Sequence, residues 1–248
     1  MTKPHPGTTR SARPHTRLTE DGRRVREVLS YSRRGARLTE KQHRAWQRRA
    51  ADWVVPEELV ESPGFRWPDV FGREAPLVVE IGSGIGETAA AYAAAHPEHD
   101  VLALEVWQPG MAELLHRADE AGADNVRVLG LDAVWALGHI FEPDSIHELW
   151  TLFPDPWPKA RHHKRRIVTA AFAELVVAAL RPGGVWRLAT DWPPYAEWMR
   201  EVLDEQQALT GGEAPRWQER PLTKFERRGI AAGRPVVDLA YTVRDSRP

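Results

Sequence analysis

From Leu77 onward, short apolar runs alternate with helical stretches. LVVEIG at 77–82 has the unbroken apolar character of a strand covered on both faces, and ETAAAYAAAHP after it reads as a helix ended near Pro97. VLALEV at 101–106 predicts the next strand, and a helix follows from Pro109 through GMAELLHRADEAG to Gly122. NVRVLGLDA (125–133), ELWTLF (148–153) and VWRLATD (185–191) predict three further strands, with a helix over RRIVTAAFAELVVAAL (165–180) stopped at residues 181–184. Strand and helix alternate throughout, which predicts an α/β protein with a doubly wound, mainly parallel sheet and helices on both faces. VVDLAYTV (236–243) has no helix after it and predicts a last, antiparallel strand.

Upstream the pattern changes. Residues 1–22 mix Pro, Gly, Ser, Thr, His and Arg with almost no large apolar residue, so residues 1–24 are expected to be a disordered basic arm. Residues 25–76 read as a helical and irregular segment: Thr39 is an N-cap for EKQHRAWQRRAADW, a basic helix with few apolar positions, and Pro, Gly and Trp cluster between Val55 and Pro76. The main domain is placed at 77–248.

The net charge of −1 hides an asymmetry. Residues 1–50 carry 14 basic against 4 acidic side chains, whereas the rest of the 248 carry 20 against 31. A basic arm on an acidic body suits a polyanionic partner, and equally a solubilising tail. The chain has no cysteine, which excludes disulfides, thiolate metal sites and a cysteine nucleophile. No apolar run reaches the ~18 residues of a membrane span, and no signal-peptide pattern opens the chain, so a cytoplasmic protein without a membrane partner is expected. Of the 11 Trp, those at 53, 67, 135, 150 and 186 sit in apolar surroundings and are expected in the core.

Glu80-Ile-Gly82-Ser-Gly84-Ile-Gly86 joins the first strand to the first helix. A dinucleotide fingerprint needs glycine where Glu87 stands, and a pyrophosphate would meet Glu80 and Glu87, so NAD or FAD is disfavoured. The spacing instead resembles the E-x-G-x-G-x-G loop of class I S-adenosylmethionine-dependent methyltransferases, whose cationic cofactor tolerates carboxylates. Three more acids, Glu105, Asp132 and Asp155, each fall at the end of a successive strand, where an open α/β sheet places its ligand crevice. There Glu105 can accept from ribose hydroxyls, Asp132 can meet the adenine amino group and Glu80 the methionine ammonium. One such acid would be only a helix cap; four in register favour a site.

LFPDPWPKARHHKRR (152–166) stiffens the backbone around Asp155 with Pro154, Pro156 and Pro158, then presents Lys159, Arg161, His162, His163, Lys164, Arg165 and Arg166. A basic run is usually a solvated face; beside a reaction centre it suits an RNA backbone. With Thr190-Asp191-Trp192, the segment TKFERRG (223–229) and SYSRRGARLTEKQ (30–42), it resembles the bacterial tRNA (guanine-N7-)-methyltransferase family over about residues 29–243.

That resemblance implies a seven-stranded methyltransferase sheet and methyl transfer from S-adenosyl-L-methionine to N7 of a guanosine in the tRNA variable loop (position 46). It implies that Glu80, Gly82, Gly84, Gly86, Glu105, Asp132 and Asp155 bind the cofactor, with Asp155 also catalytic. Lys159, Asp191, Thr223, Lys224, Phe225 and Glu226 would bind substrate, and residues 161–166 the RNA. The Arg-rich extension before about residue 25 has no counterpart in the family pattern. Another RNA or a small molecule as acceptor is the alternative. The ten His give no metal set, since His96 and His99 flank Pro97 and His162 adjoins His163, so no metal is expected. No obligatory protein partner is evident, and a monomer or homodimer is expected.

Overall fold

The computed structural model describes residues 16–18, 24–26, 30, 31, 35 and 37–245. The expected basic arm lies largely outside the described residues. Within it β1 (Thr16–Leu18) is described, and it pairs antiparallel with β2 (Arg24–Arg26) at the arm's end.

Helix α1 (Glu40–Trp53) starts at Thr39 with a reciprocal capping box, in which Thr39 accepts from the Gln42 N–H and Gln42 accepts from the Thr39 N–H. It buries only Ala45 and Trp53. Trp46 and Ala50 pack partly buried against the core, and ion pairs add to the docking: Lys41 reaches Glu113, and Arg48 and Arg49 share Asp119 at 2.7 and 2.6 Å. β3 (Val54–Val55), α2 (Glu57–Val60) and α3 (Trp67–Phe71) lead into the main domain.

There β4 (Leu77–Ile81), α4 (Glu87–Ala95), β5 (Asp100–Leu104), α5 (Gln108–Ala121), β6 (Val126–Leu129), α6 (Ala133–His139) and β7 (Ile146–Leu152) alternate as expected. A 3-10 turn (Ala160–Arg165), α7 (Ala170–Ala179), β8 (Leu180–Thr190), α8 (Pro193–Asp204), β9 (Leu209–Ala214), α9 (Lys224–Ala231) and β10 (Val237–Val243) complete the chain.

The main sheet has eight strands in the order β3-β6-β5-β4-β7-β8-β10-β9. It is parallel as far as β8, and β10 runs antiparallel between β8 and β9. Strand alternation splits the core into two layers. Val78, Val101 and Trp150 face Ala89, Leu114 and Leu115, whereas Val79, Leu102 and Trp186 face Phe172, Val176 and Met199. Each large side chain so buried contributes about 1.5–3 kcal/mol. Trp53, Trp67, Trp150 and Trp186 are buried, and Trp135 packs half-buried against the core.

Three elements depart from expectation. The sheet has eight strands rather than the seven the resemblance implies: to the six read along the chain it adds the two-residue β3 and the glycine-containing β9, each paired at an edge. At Gly211 a Cβ would fall 2.0 Å from the Ala240 carbonyl oxygen, so only glycine admits this pairing. The helix expected from residue 165 starts at Ala170, where Thr169 caps it by accepting from the Phe172 N–H. Its end at Ala179 runs straight into β8, whose first residue, Leu180, pairs with Ile146.

Candidate cofactor and substrate site

The strand order reverses between β4 and β7, and a crevice opens there at the carboxyl ends of the parallel strands. It is a cavity of about 1150 Å³ counted out to its open mouth. Glu80, Gly82, Gly84, Glu105, Asp132 and Asp155 all line it, together with Thr223 and Phe225.

Gly82, Gly84 and Gly86 all take left-handed φ (68°, 58° and 70°). Gly86 does not face the cavity. A Cβ there would lie 2.3 Å from Leu114 Cγ, so this glycine lets α4 sit against α5. Glu105 shapes the loop: one carboxylate oxygen accepts from the Gly84 N–H at 2.7 Å and the other from the Trp107 N–H at 2.8 Å. Asp132 Oδ1 caps α6 by accepting from Val134 and Trp135, so it is a helix cap and a cavity wall at once. Glu80 is buried and accepts from the Ala89 N–H at 3.1 Å. Burial outweighs that hydrogen bond and raises its pKa to about 8, with Glu105 and Glu87 adding repulsion.

These groups fit S-adenosylmethionine. A buried carboxyl with a raised pKa gains from a neighbouring ammonium, and the oxygens of Glu105 and Asp132 retain acceptor capacity beyond the N–H groups they hold. Ser83 Oγ, on the cavity wall, is buried with no hydrogen-bond partner among the described residues.

Asp155 stands between two bulky residues in left-handed backbone, Phe153 (φ 51°) and Trp157 (φ 46°). Such geometry persists where surroundings enforce it. The Phe153 N–H donates to Ala189 O at 2.7 Å, and the Trp157 indole N–H donates to Ser30 O at 3.1 Å beneath the Arg165 guanidinium, 3.5 Å from the ring centroid. Arg165 also donates to Tyr31 O, and the Trp107 indole donates to Gly35 O. Ser30 and Tyr31 thereby join the cavity wall. Neither was singled out from sequence.

The structure separates the remaining predicted residues. Lys159, Arg161 and Lys164 are exposed beside the mouth. His162 and His163 are half-exposed; slight burial and the charges of Arg161, Arg165, Lys159 and Lys164 lower the His162 pKa. Arg166 is 4% exposed; it donates to Pro156 O and lies over the Tyr195 ring, so it braces the proline loop.

Asp191 does not cap α8, whose cap is Trp192. It is held by Arg234 at 2.6 and 3.0 Å and closely approached by Gly229. Thr223 caps α9, while Lys224 points its backbone N–H at Glu87. Glu226 is 2% exposed and bound by Arg216 and Arg220, away from the cavity. At the far end of the sheet His96, Glu98 and His99 bring ligand-type atoms within 4.8 Å of one another, with His99 bonded to Tyr92 and His96 to Glu98 and Glu219. No described helix is long and apolar enough to cross a membrane.

A sheet reversed at its centre, a glycine loop after the first strand and acids at four strand ends are the arrangement of a class I S-adenosylmethionine-dependent methyltransferase. Residues 74–239 match the model of a family described as "Putative methyltransferase". A tRNA (guanine-N(7)-)-methyltransferase of Nocardioides sp. JS614 is 60% identical over 239 residues, covering 96% of each chain. One from Cutibacterium acnes is 48% identical, covering 89% of this chain and 85% of its own. The chain belongs to the tRNA (guanine-N7-)-methyltransferase family. Among solved structures, the 16S rRNA methyltransferase KamB superposes with TM-score 0.53 at 18% identity, over 72% of this chain and 92% of that one. A 16S rRNA (adenine(1408)-N(1))-methyltransferase variant of Catenulisporales acidiphilia gives 0.50 at 18%, over 77% and 97%. At this identity both speak for the fold.

Proposed function

We propose that the chain methylates N7 of a guanosine in the variable loop of tRNA, with Asp155 at the reacting centre. The observation that carries this reading is the placement of Asp155, fixed by strained flanking residues on the cavity wall within a few residues of Lys159, Arg161 and Lys164. The relatives named for this reaction support the choice of acceptor.

Bound S-adenosylmethionine supplies an electrophilic methyl on a sulfonium. Glu80, Glu105 and Asp132 hold and orient it. Guanine N7 carries an in-plane lone pair that is free at neutral pH, so this chain has no proton to remove before attack, and a strong general base is unnecessary. Alignment then supplies most of the barrier reduction, up to about 7–11 kcal/mol in ideal intramolecular cases. Positive charge grows on the guanine during transfer. The fixed Asp155 carboxylate stabilises that charge and can accept from N1–H and the 2-amino group, which selects guanine over adenine. The base must leave its tertiary contacts to enter, and Phe225 on the cavity wall offers a stacking face. Lys159, Arg161 and Lys164 grip the phosphates beside it. A tRNA substrate places the work in the cytoplasm.

The test is transfer of labelled methyl to an unmodified tRNA transcript, followed by cleavage selective for N7-methylguanosine. A single strong stop in the variable loop is expected. Cofactor binding without tRNA labelling would point to another acceptor.

A further inference from the structure

The side chain of Arg220 is fully buried, yet it carries a charge and touches three separate segments, two of which also carry residues of the cavity wall. Its guanidinium donates to Asp238 at 2.5 and 3.0 Å and to both oxygens of Glu226 at 3.3 Å, and it lies 5.3 Å from the centroid of the Phe153 ring. Arg216 closes the cluster, bonding Glu226 at 2.7 and 3.0 Å and the Arg220 carbonyl at 2.9 Å. Two guanidiniums thus balance two carboxylates. A buried ion cluster of this kind is weak evidence for stability, because desolvation offsets most of its attraction. What it supplies is direction, since a guanidinium fork fixes the angle and distance of each partner.

Each partner leads into the site. Phe153 is the left-handed residue two positions before Asp155. Glu226 follows Phe225 on the first turn of α9, and Phe225 lines the cavity with Thr223. Asp238 pairs across the sheet with Ala189, whose carbonyl holds the Phe153 N–H. We propose that Arg220 is a positioning residue for methyl transfer, setting the spacing between the Asp155 loop and the Thr223–Phe225 wall. The proposal rests on the methyl-transfer reading of the cavity, and one arm of its test does not.

Arg220→Lys keeps the charge and removes the fork. Per molecule able to bind S-adenosylmethionine, kcat is expected to fall at least thirtyfold, with the cofactor KM changing less than threefold. A merely structural arginine would lower only the folded fraction, as expected for Tyr241→Phe, which loses a 2.7 Å bond to Asp204 remote from the cavity. Amide exchange needs no substrate: in Arg220→Lys, segments 153–158 and 223–229 should lose protection together while α1 and α5 keep theirs. A kcat within threefold of wild type, or exchange that leaves either segment unchanged, overturns the proposal. If Arg220→Lys does not fold, Phe153→Leu and Glu226→Gln carry the same two readouts, and normal values in both overturn it. A wild-type protein inactive on tRNA would sink the proposed acceptor, and exchange alone would then decide on Arg220.

Discussion

The backbone N–H of Lys224 donates to the Glu87 carboxylate at 2.6 Å, across 137 residues of chain, and Arg227 holds the second oxygen at 2.9 Å. Glu87 opens α4 directly after the glycine loop, so this contact ties the TKFERRG segment to the base of the cavity. The residue that argues against a dinucleotide is therefore the clasp of the cavity wall.

Removing that clasp should loosen the wall formed by Thr223 and Phe225. Glu87→Ala is expected to raise the dissociation constant for S-adenosylmethionine about tenfold, in line with the ~1.5 kcal/mol of a charge-assisted hydrogen bond. Arg227→Ala, which loses a half-exposed ion pair and an exposed hydrogen bond to Leu222 O, should cost threefold or less. Calorimetric titration of both variants checks this, and equal affinities across the three proteins would refute it.

Glu80 makes stability depend on pH. Its folded pKa of about 8 lies above the ordinary 4.5, so between these values the folded state holds a proton that the unfolded state has lost. Stability of the ligand-free protein from this group therefore falls as pH rises from about 4.5 to 8, by up to about 1.4 kcal/mol per unit. Glu80→Gln, neutral throughout, should escape the fall. Melting temperatures of the two proteins from pH 5 to 8.5 should diverge in favour of the variant; parallel curves would contradict the assignment.

The two acids that could meet the guanine differ in environment. Asp155 lines the cavity, whereas Asp191 is occupied by Arg234 and packed on Gly229. Asp155→Asn should reduce kcat on saturating tRNA by about 10²–10³, the range seen when one preorganised electrostatic group is lost. Asp191→Asn should reduce it less than tenfold, and Arg234→Gln should reproduce that smaller effect. Steady-state kinetics with the reverse ranking would move the guanine to Asp191.

Much of this was legible in the sequence because it follows from strand ends. Glu80, Glu105, Asp132 and Asp155 were found by asking which acids terminate successive parallel strands, and the sheet brings all four to one cavity. Directions within turns were not legible. Arg166 follows five basic residues without a break, yet it turns inward onto Pro156 O, and Glu226 turns away from its neighbour Phe225 to meet two arginines. Contacts such as Trp157 to Ser30, 127 residues apart, leave no periodic trace. LTGGEA has no strand pattern of its own, and it becomes β9 only because β10 offers an edge.

The inward turn of Arg166 also changes the expected salt dependence. Six basic residues at 161–166 would imply a steep response, but Arg166 braces the loop, Arg165 is engaged with Trp157 and Tyr31, and the lowered pKa of His162 disfavours its charged form. Of the six, Arg161 and Lys164 remain as exposed permanent charges, and exposed Lys159 precedes the run. At roughly −0.7 to −0.9 per phosphate contact they contribute about −2 to −3 to the log–log slope of tRNA affinity against salt. Replacing all three with Ala should flatten the measured slope by that amount while leaving S-adenosylmethionine affinity within twofold. An unchanged slope would mean that the phosphates are gripped elsewhere on the protein.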